Sequence, residues 1–96
     1  MHTSSTLTAT QNPQRLIKRL CKHWSHKFEV TLEENSGEIQ LPNGVCKLKA
    51  VEGGLAVALS VEDTEQLEQM ETVVAEHLQR MASDETLGFD WQRNVD

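Results

Sequence analysis

The sequence predicts an α+β, two-layer sandwich: a four-stranded antiparallel meander covered on one face by two helices, with N- and C-terminal segments that can add further strands. Three observations predict it. Two segments carry apolar residues at helical spacing, the thirty residues between them alternate apolar and polar with period two, and three turn signals leave the apolar residues on one side. A sheet that is apolar on one face must be covered, and the two amphipathic helices are the available cover.

The first helix is read over Pro13–Ser25. Leu16, Ile17, Leu20 and Trp24 form one stripe, with Arg15, Lys18 and Lys22 on the opposite side. Asn12 suits the cap and Pro13 the first turn. Burial of each stripe residue contributes roughly 1.5–3 kcal/mol before entropy costs.

The strands follow. Phe28, Val30 and Leu32 form the first apolar alternation, and Ile39 and Leu41 the second. Cys46, Leu48 and Ala50 form the third, and Leu55, Val57 and Leu59 the fourth. Asn43-Gly44 as a two-residue turn sets Leu41 opposite Cys46, Ile39 opposite Leu48 and Glu38 opposite Lys49. Asn35-Ser36 sets Leu32 opposite Ile39 and Val30 opposite Leu41. Gly53-Gly54 sets Ala50 opposite Val57 and Leu48 opposite Leu59. A one-residue slip in any hairpin would turn the apolar set outward.

The second helix is read over 62–82. Asp63 suits the cap, Gln66 stands at capping-box spacing, and Leu67, Met70, Val74, Leu78 and Met81 form the stripe. Thr6–Thr10 is rich in β-branched residues and reads as a candidate strand. Leu87, Phe89 and Trp91 alternate and read as another, with the two aromatics docking the tail on the body. The chain is one domain, 1–96, with 1–5 expected to be flexible.

Composition narrows the class. The charged fraction is 25% and the apolar fraction 38%, values of an ordinary globular domain. No apolar run approaches the roughly 20 residues of a membrane span, and the start lacks a signal-peptide pattern, so a cytoplasmic location is expected. Cys21 and Cys46 are then expected as free thiols. Residues 1–27 carry five cations and no acid, while residues 28–96 carry four cations and all fifteen acids. The basic first helix and the acidic second can therefore lie side by side with opposite charges adjacent.

Few residues point to chemistry. His23 and His26 are three apart, and His77 lies on the inner side of the second helix. The three could hold zinc or iron, or act as bland helix-end and core-edge residues. Cys21, near Lys18 and Lys22, is the candidate nucleophile, although the C-terminal half of a helix disfavours a thiolate. Arg15, Lys18, Arg19, Lys22 and Lys27 form a basic patch. The acidity of the rest of the chain argues for a solvated face over a nucleic-acid surface. No phosphate loop, nucleophile elbow or H-E-x-x-H motif occurs. The outer sheet face offers Val45, Val51, Ala56 and Ala58 among Glu38, Gln40, Lys47 and Lys49, a surface for a protein partner or homodimer.

The run Leu-Cys-Lys-His-Trp-Ser-His-Lys-Phe at 20–28 is distinctive. With Leu41-Pro42-Asn43-Gly44, Val74-Ala75-Glu76-His77-Leu78 and Trp91, it resembles the small bacterial proteins of the domain of unknown function 2218 family, over about residues 6–91. Related domains occur joined to siderophore-interacting flavin reductases, so the resemblance implies a link to iron handling; the histidine cluster itself could serve iron, zinc or haem. Some relatives carry an aldolase label, but neither a carbonyl-activating lysine in a pocket nor a divalent-metal ligand set can be read from these residues. The reading is an accessory or protein-interaction module, self-associating, with a metal-handling protein using the histidines as the alternative.

Overall fold

A computed structural model describes residues 2–94. In chain order the elements are β1 (His2–Ala9), α1 (Pro13–Trp24), β2 (Val30–Leu32), β3 (Ser36–Leu41), β4 (Gly44–Val51), β5 (Gly54–Val61), α2 (Glu65–Met81) and β6 (Gln92–Asn94). The strands form one sheet in the order β2-β3-β4-β5-β1-β6, with every neighbouring pair antiparallel. Both helices lie on one side, α1 over β2–β4 and α2 over β5 and β1, and they touch each other.

The core fills the space between. From the sheet come Ile39, Cys46, Leu48, Leu55, Val57, Leu59 and Val61. From α1 come Leu16, Ile17, Leu20, Cys21 and Trp24, and from α2 Leu67, Met70, Val74 and Leu78. The meander and its apolar face are as the alternation predicts.

All three hairpins differ from the expected register by two residues. Leu41 faces Gly44, Ile39 faces Cys46 and Glu38 faces Lys47. Val30 faces Ile39 and Leu32 faces Gly37. Leu48 faces Val57 and Ala50 faces Leu55. The turns sit one position earlier than their glycines suggest. Pro42, with its fixed φ, takes the first central position of the β3–β4 turn, so Gly44 is already strand. Gly53, at φ 76°, takes the second central position of the β4–β5 turn, the left-handed conformation a type II turn requires. Gly44 is needed for space: a Cβ there would stand 2.0 Å from the Ser60 carbonyl oxygen. An even-numbered slip leaves every side chain on its own face, so the core prediction survives the register error.

The ends of the elements are corrected too. Residues 2–5, expected to be flexible, lie in β1, where they pair with β5 and, at Thr3–Ser5, also with β6. Met1 lies outside the described residues. Phe28 is in the turn after α1, and the short β2 leaves Leu32 47% exposed. The expected strand at 87–91 is irregular extended chain, and β6 begins at Gln92. Leu87 is buried there, and the Phe89 and Trp91 rings stack at 6.0 Å. Asn12 occupies the cap position of α1 without a side-chain bond, its N–H donating instead to Thr10 Oγ1 at 3.2 Å. The cap position of α2 is Thr64, also without a side-chain bond, and the expected cap Asp63, one residue earlier, accepts from the Glu65 N–H at 3.0 Å.

Candidate functional site

α1 and α2 meet along a seam that brings two of the three histidines together. His23, in the last turn of α1, and His77, on α2, have ring centroids 5.4 Å apart. Trp24 lies beside both, 4.9 Å from the His77 ring and 6.4 Å from the His23 ring. His77 Nδ1 contacts the Val73 carbonyl oxygen at 2.7 Å. A carbonyl only accepts, so Nδ1 carries a proton, and in the neutral ring the lone pair lies on Nε2. His26 does not join them. It is exposed in the turn after α1, and among the described residues no ring stacks on it. The expected three-histidine set is therefore a pair, and no group of three or more His, Cys, Asp or Glu side chains converges among the described residues.

Beside this seam, Trp24 and Phe28 from α1 and the turn after it face Leu41, Pro42 and Asn43 at the β3–β4 turn. Gln69, Met70 and Val73 of α2 close a shallow apolar cleft of about 170 Å³. Trp24 and Phe28 meet edge to face at 6.4 Å.

The thiols are buried between α1 and the sheet. Burial pushes Cys21 up from the ordinary thiol value and carries Cys46 to about 12, with the Cys21 charge adding to the second. A nucleophile needs the reverse, an exposed thiolate in a positive setting. The Cys21 reading is set aside on that ground. Cys21 instead packs over Gly37, where a Cβ would come within 2.6 Å of its Sγ, so the glycine lets α1 sit close on β3.

Arg15, Lys18, Arg19, Lys22 and Lys27 are all exposed. Among the described residues no ion pair joins α1 to α2, contrary to the expected charge matching. Arg19 instead donates to the Met81 carbonyl oxygen at 2.8 Å, a cation on the negative end of α2.

Two groups went unread in the sequence. Ser4, Thr6 and Thr8 along β1, with Thr10 just past its end, point inward and are buried. Thr8 donates to the Gly88 carbonyl oxygen and Thr10 to Glu85 Oε2, while Thr6 Oγ1 accepts from the Asp90 N–H. This row ties the tail to the sheet. Glu71 is the second group. It sits in the apolar stripe of α2, between Leu67 and Val74, and accepts two bonds from Arg93 of β6 and one from Ser4. An acid at that stripe position is the signal that a buried partner exists, and period-two hydroxyls from 4 to 10 are the signal for the row.

The far face of the sheet has no helix over it. One row across it reads Thr31, Glu38, Lys47, Ala58, Ser5 and Gln92, and the next runs through Ser36, Lys49, Ala56 and Leu7. Leu7 stands 68% exposed beside Ala56. The small side chains of β5 and β1 lie in a concavity of about 870 Å³, with Lys47 and Lys49 on one flank and Asp90 and Gln92 on the other. Glu38 and Lys47 form a loose ion pair at 3.7 Å.

A family model described as "Uncharacterized protein conserved in bacteria (DUF2218)" matches residues 5–92. The chain belongs to this family. The three stretches that carry the DUF2218 resemblance, 20–28, 41–44 and 74–78, converge at the seam and its cleft through Trp24, Phe28, Leu41, Pro42, Asn43 and His77. Among solved structures the chain is similar to that titled "NMR structure of PA4090 from Pseudomonas aeruginosa", at 41% identity over 96% of each chain and a TM-score of 0.81. No curated protein matches the chain.

Proposed function

We propose that this DUF2218 domain is a protein-interaction module that pairs with a second copy of itself through the uncovered face of its sheet. The observation that carries this reading is Leu7, a large apolar side chain 68% exposed on that face beside Ala56. A two-fold interface must be self-complementary, so one patch has to supply both projection and recess, and both signs of charge. This patch does: Leu7 projects, Ala56, Ala58 and Ser5 leave the recess, and Lys47 and Lys49 stand with Glu33, Glu38 and Asp90 around the same concavity. The sheet edges favour the face over edge pairing. Both outer strands, β2 and β6, are three residues long, and short edges resist strand addition.

Sedimentation velocity and light scattering test it. The expected result is a dimer at concentrations of about 10–100 μM, converted to monomer by Leu7→Glu. A monomer persisting at about 1 mM, or a dimer indifferent to Leu7→Glu and Ala58→Arg, overturns it.

A further inference from the structure

We infer that His23 and His77 together bind a late first-row divalent ion (zinc, nickel or copper) across the α1–α2 seam. Three features of the pair support this. The first is separation: with metal–nitrogen bonds of about 2.0–2.1 Å and a near-tetrahedral angle, two imidazoles on one ion have centroids about 5 Å apart. The His23–His77 centroids are already at 5.4 Å. The second is the tautomer: the Val73 carbonyl oxygen accepts from His77 Nδ1, which leaves Nε2 free to ligate and fixes the ring, the outer-shell arrangement typical of ligating histidines. The third is access, since His23 is exposed and the ion needs no opening of the core.

The ligand type selects the metal. Imidazole suits iron, zinc, nickel and copper, and of these the later metals hold such a site more tightly than iron(II), whereas calcium and magnesium need oxygen ligands that the pair lacks. Two protein ligands leave the remaining coordination positions to water or to a small donor molecule, so the ion is exchangeable. The ion also links the two helices, so binding stiffens the seam. This site is independent of the sheet face and stands or falls apart from the pairing proposed above.

Trp24 supplies the readout, because its ring lies 4.9 Å from His77 and a paramagnetic ion there quenches it. Tag-free protein carrying Trp91→Phe is titrated with nickel(II), and the parent protein is melted with and without zinc. Expected are saturable quenching at one ion per chain and a melting temperature raised by about 10–15 °C at a hundredfold excess over Kd. His23→Gln should weaken binding by more than the roughly 10–100-fold that loss of an outer-shell partner costs. His77→Gln should do the same, and His26→Gln should leave binding intact. His23 is exposed, so its replacement leaves the fold in place and decides the matter even where another variant unfolds. No saturation below about 1 mM, or equal binding by His23→Gln, overturns the site.

Discussion

Glu71 of α2 and Arg93 of β6 form a two-pronged ion pair, Nη2 to Oε1 at 2.6 Å and Nε to Oε2 at 3.0 Å, that fastens the last strand to the second helix. The carboxylate side chain is 7% exposed and the guanidinium 46%, so the acid depends on the base more than the reverse. The bond from Arg93 is the largest influence on the Glu71 carboxyl and holds it below its ordinary 4.5; burial opposes this, and Ser4 and the Arg93 charge reinforce it. A carboxyl whose folded pKa is depressed stabilises the fold above its unfolded pKa, and that stabilisation is lost as pH falls through the folded value. The melting temperature is therefore expected to fall as pH drops below about 4.5, and Glu71→Gln should flatten that acid limb. A pH series of thermal melts on the two proteins checks it, and identical acid limbs would contradict the assignment.

Arg93→Ala leaves the inward-facing carboxylate without its cationic partner, with only the Ser4 hydroxyl still donating to it. The expected outcome is loss of stability at neutral pH that shrinks in acid, where Glu71 is neutral. Urea unfolding of the variant at both pH values measures the difference.

Gly44→Ala forces a Cβ onto the Ser60 carbonyl of the neighbouring strand. Backbone cannot step aside as a flexible side chain can, so a loss of about 3 kcal/mol is expected. Gly53→Ala has open space but keeps the positive φ, and should lose only about 1–2 kcal/mol. Denaturant midpoints for the pair rank steric conflict against backbone strain; the reverse order would show that the β3–β4 turn is placed wrongly.

Thr6→Val removes the acceptor for the Asp90 N–H while keeping the shape of the side chain. About 1–3 kcal/mol should be lost, concentrated in the tail. Amide exchange at Asp90 should quicken while exchange at Leu48 and Val57 in the sheet centre changes little. Uniform acceleration would mean that the tail and the sheet open together.

Neither thiol should react with a disulfide reagent in the folded protein at about pH 8. Both are buried, and Cys46 is pushed up to about 12. Labelling is expected only at the rate of unfolding, and rapid modification of Cys21 would restore it as a nucleophile.

The fold was legible where one local pattern decided it. Period-two alternation identified the inward residues Ile39, Cys46, Leu48, Val57 and Leu59, and helical spacing identified Leu16, Ile17, Leu20, Val74 and Leu78. Register was not, because Asn43-Gly44 and Gly53-Gly54 each admit two turn placements that differ by an even slip and bury the same side chains. Long-range polar contacts were least legible. Ser4 meets Glu71 across 67 positions and Thr6 meets Asp90 across 84, and no short window contains both partners. Both members of the histidine pair stand in the expected set, because the α2 stripe places His77 inward; His26 was added by its closeness to His23 in the chain, and the turn after α1 carries it away.

Thr3 lies opposite Asn94 in adjacent strands, so two points 91 positions apart in sequence sit side by side. A loop of about four residues could join them, and the chain could then be cut at the exposed β4–β5 tip without crossing the core. For the same reason the domain can be spliced into a host protein's surface loop, entering and leaving at nearly one spot and leaving the host's own chain path undisturbed.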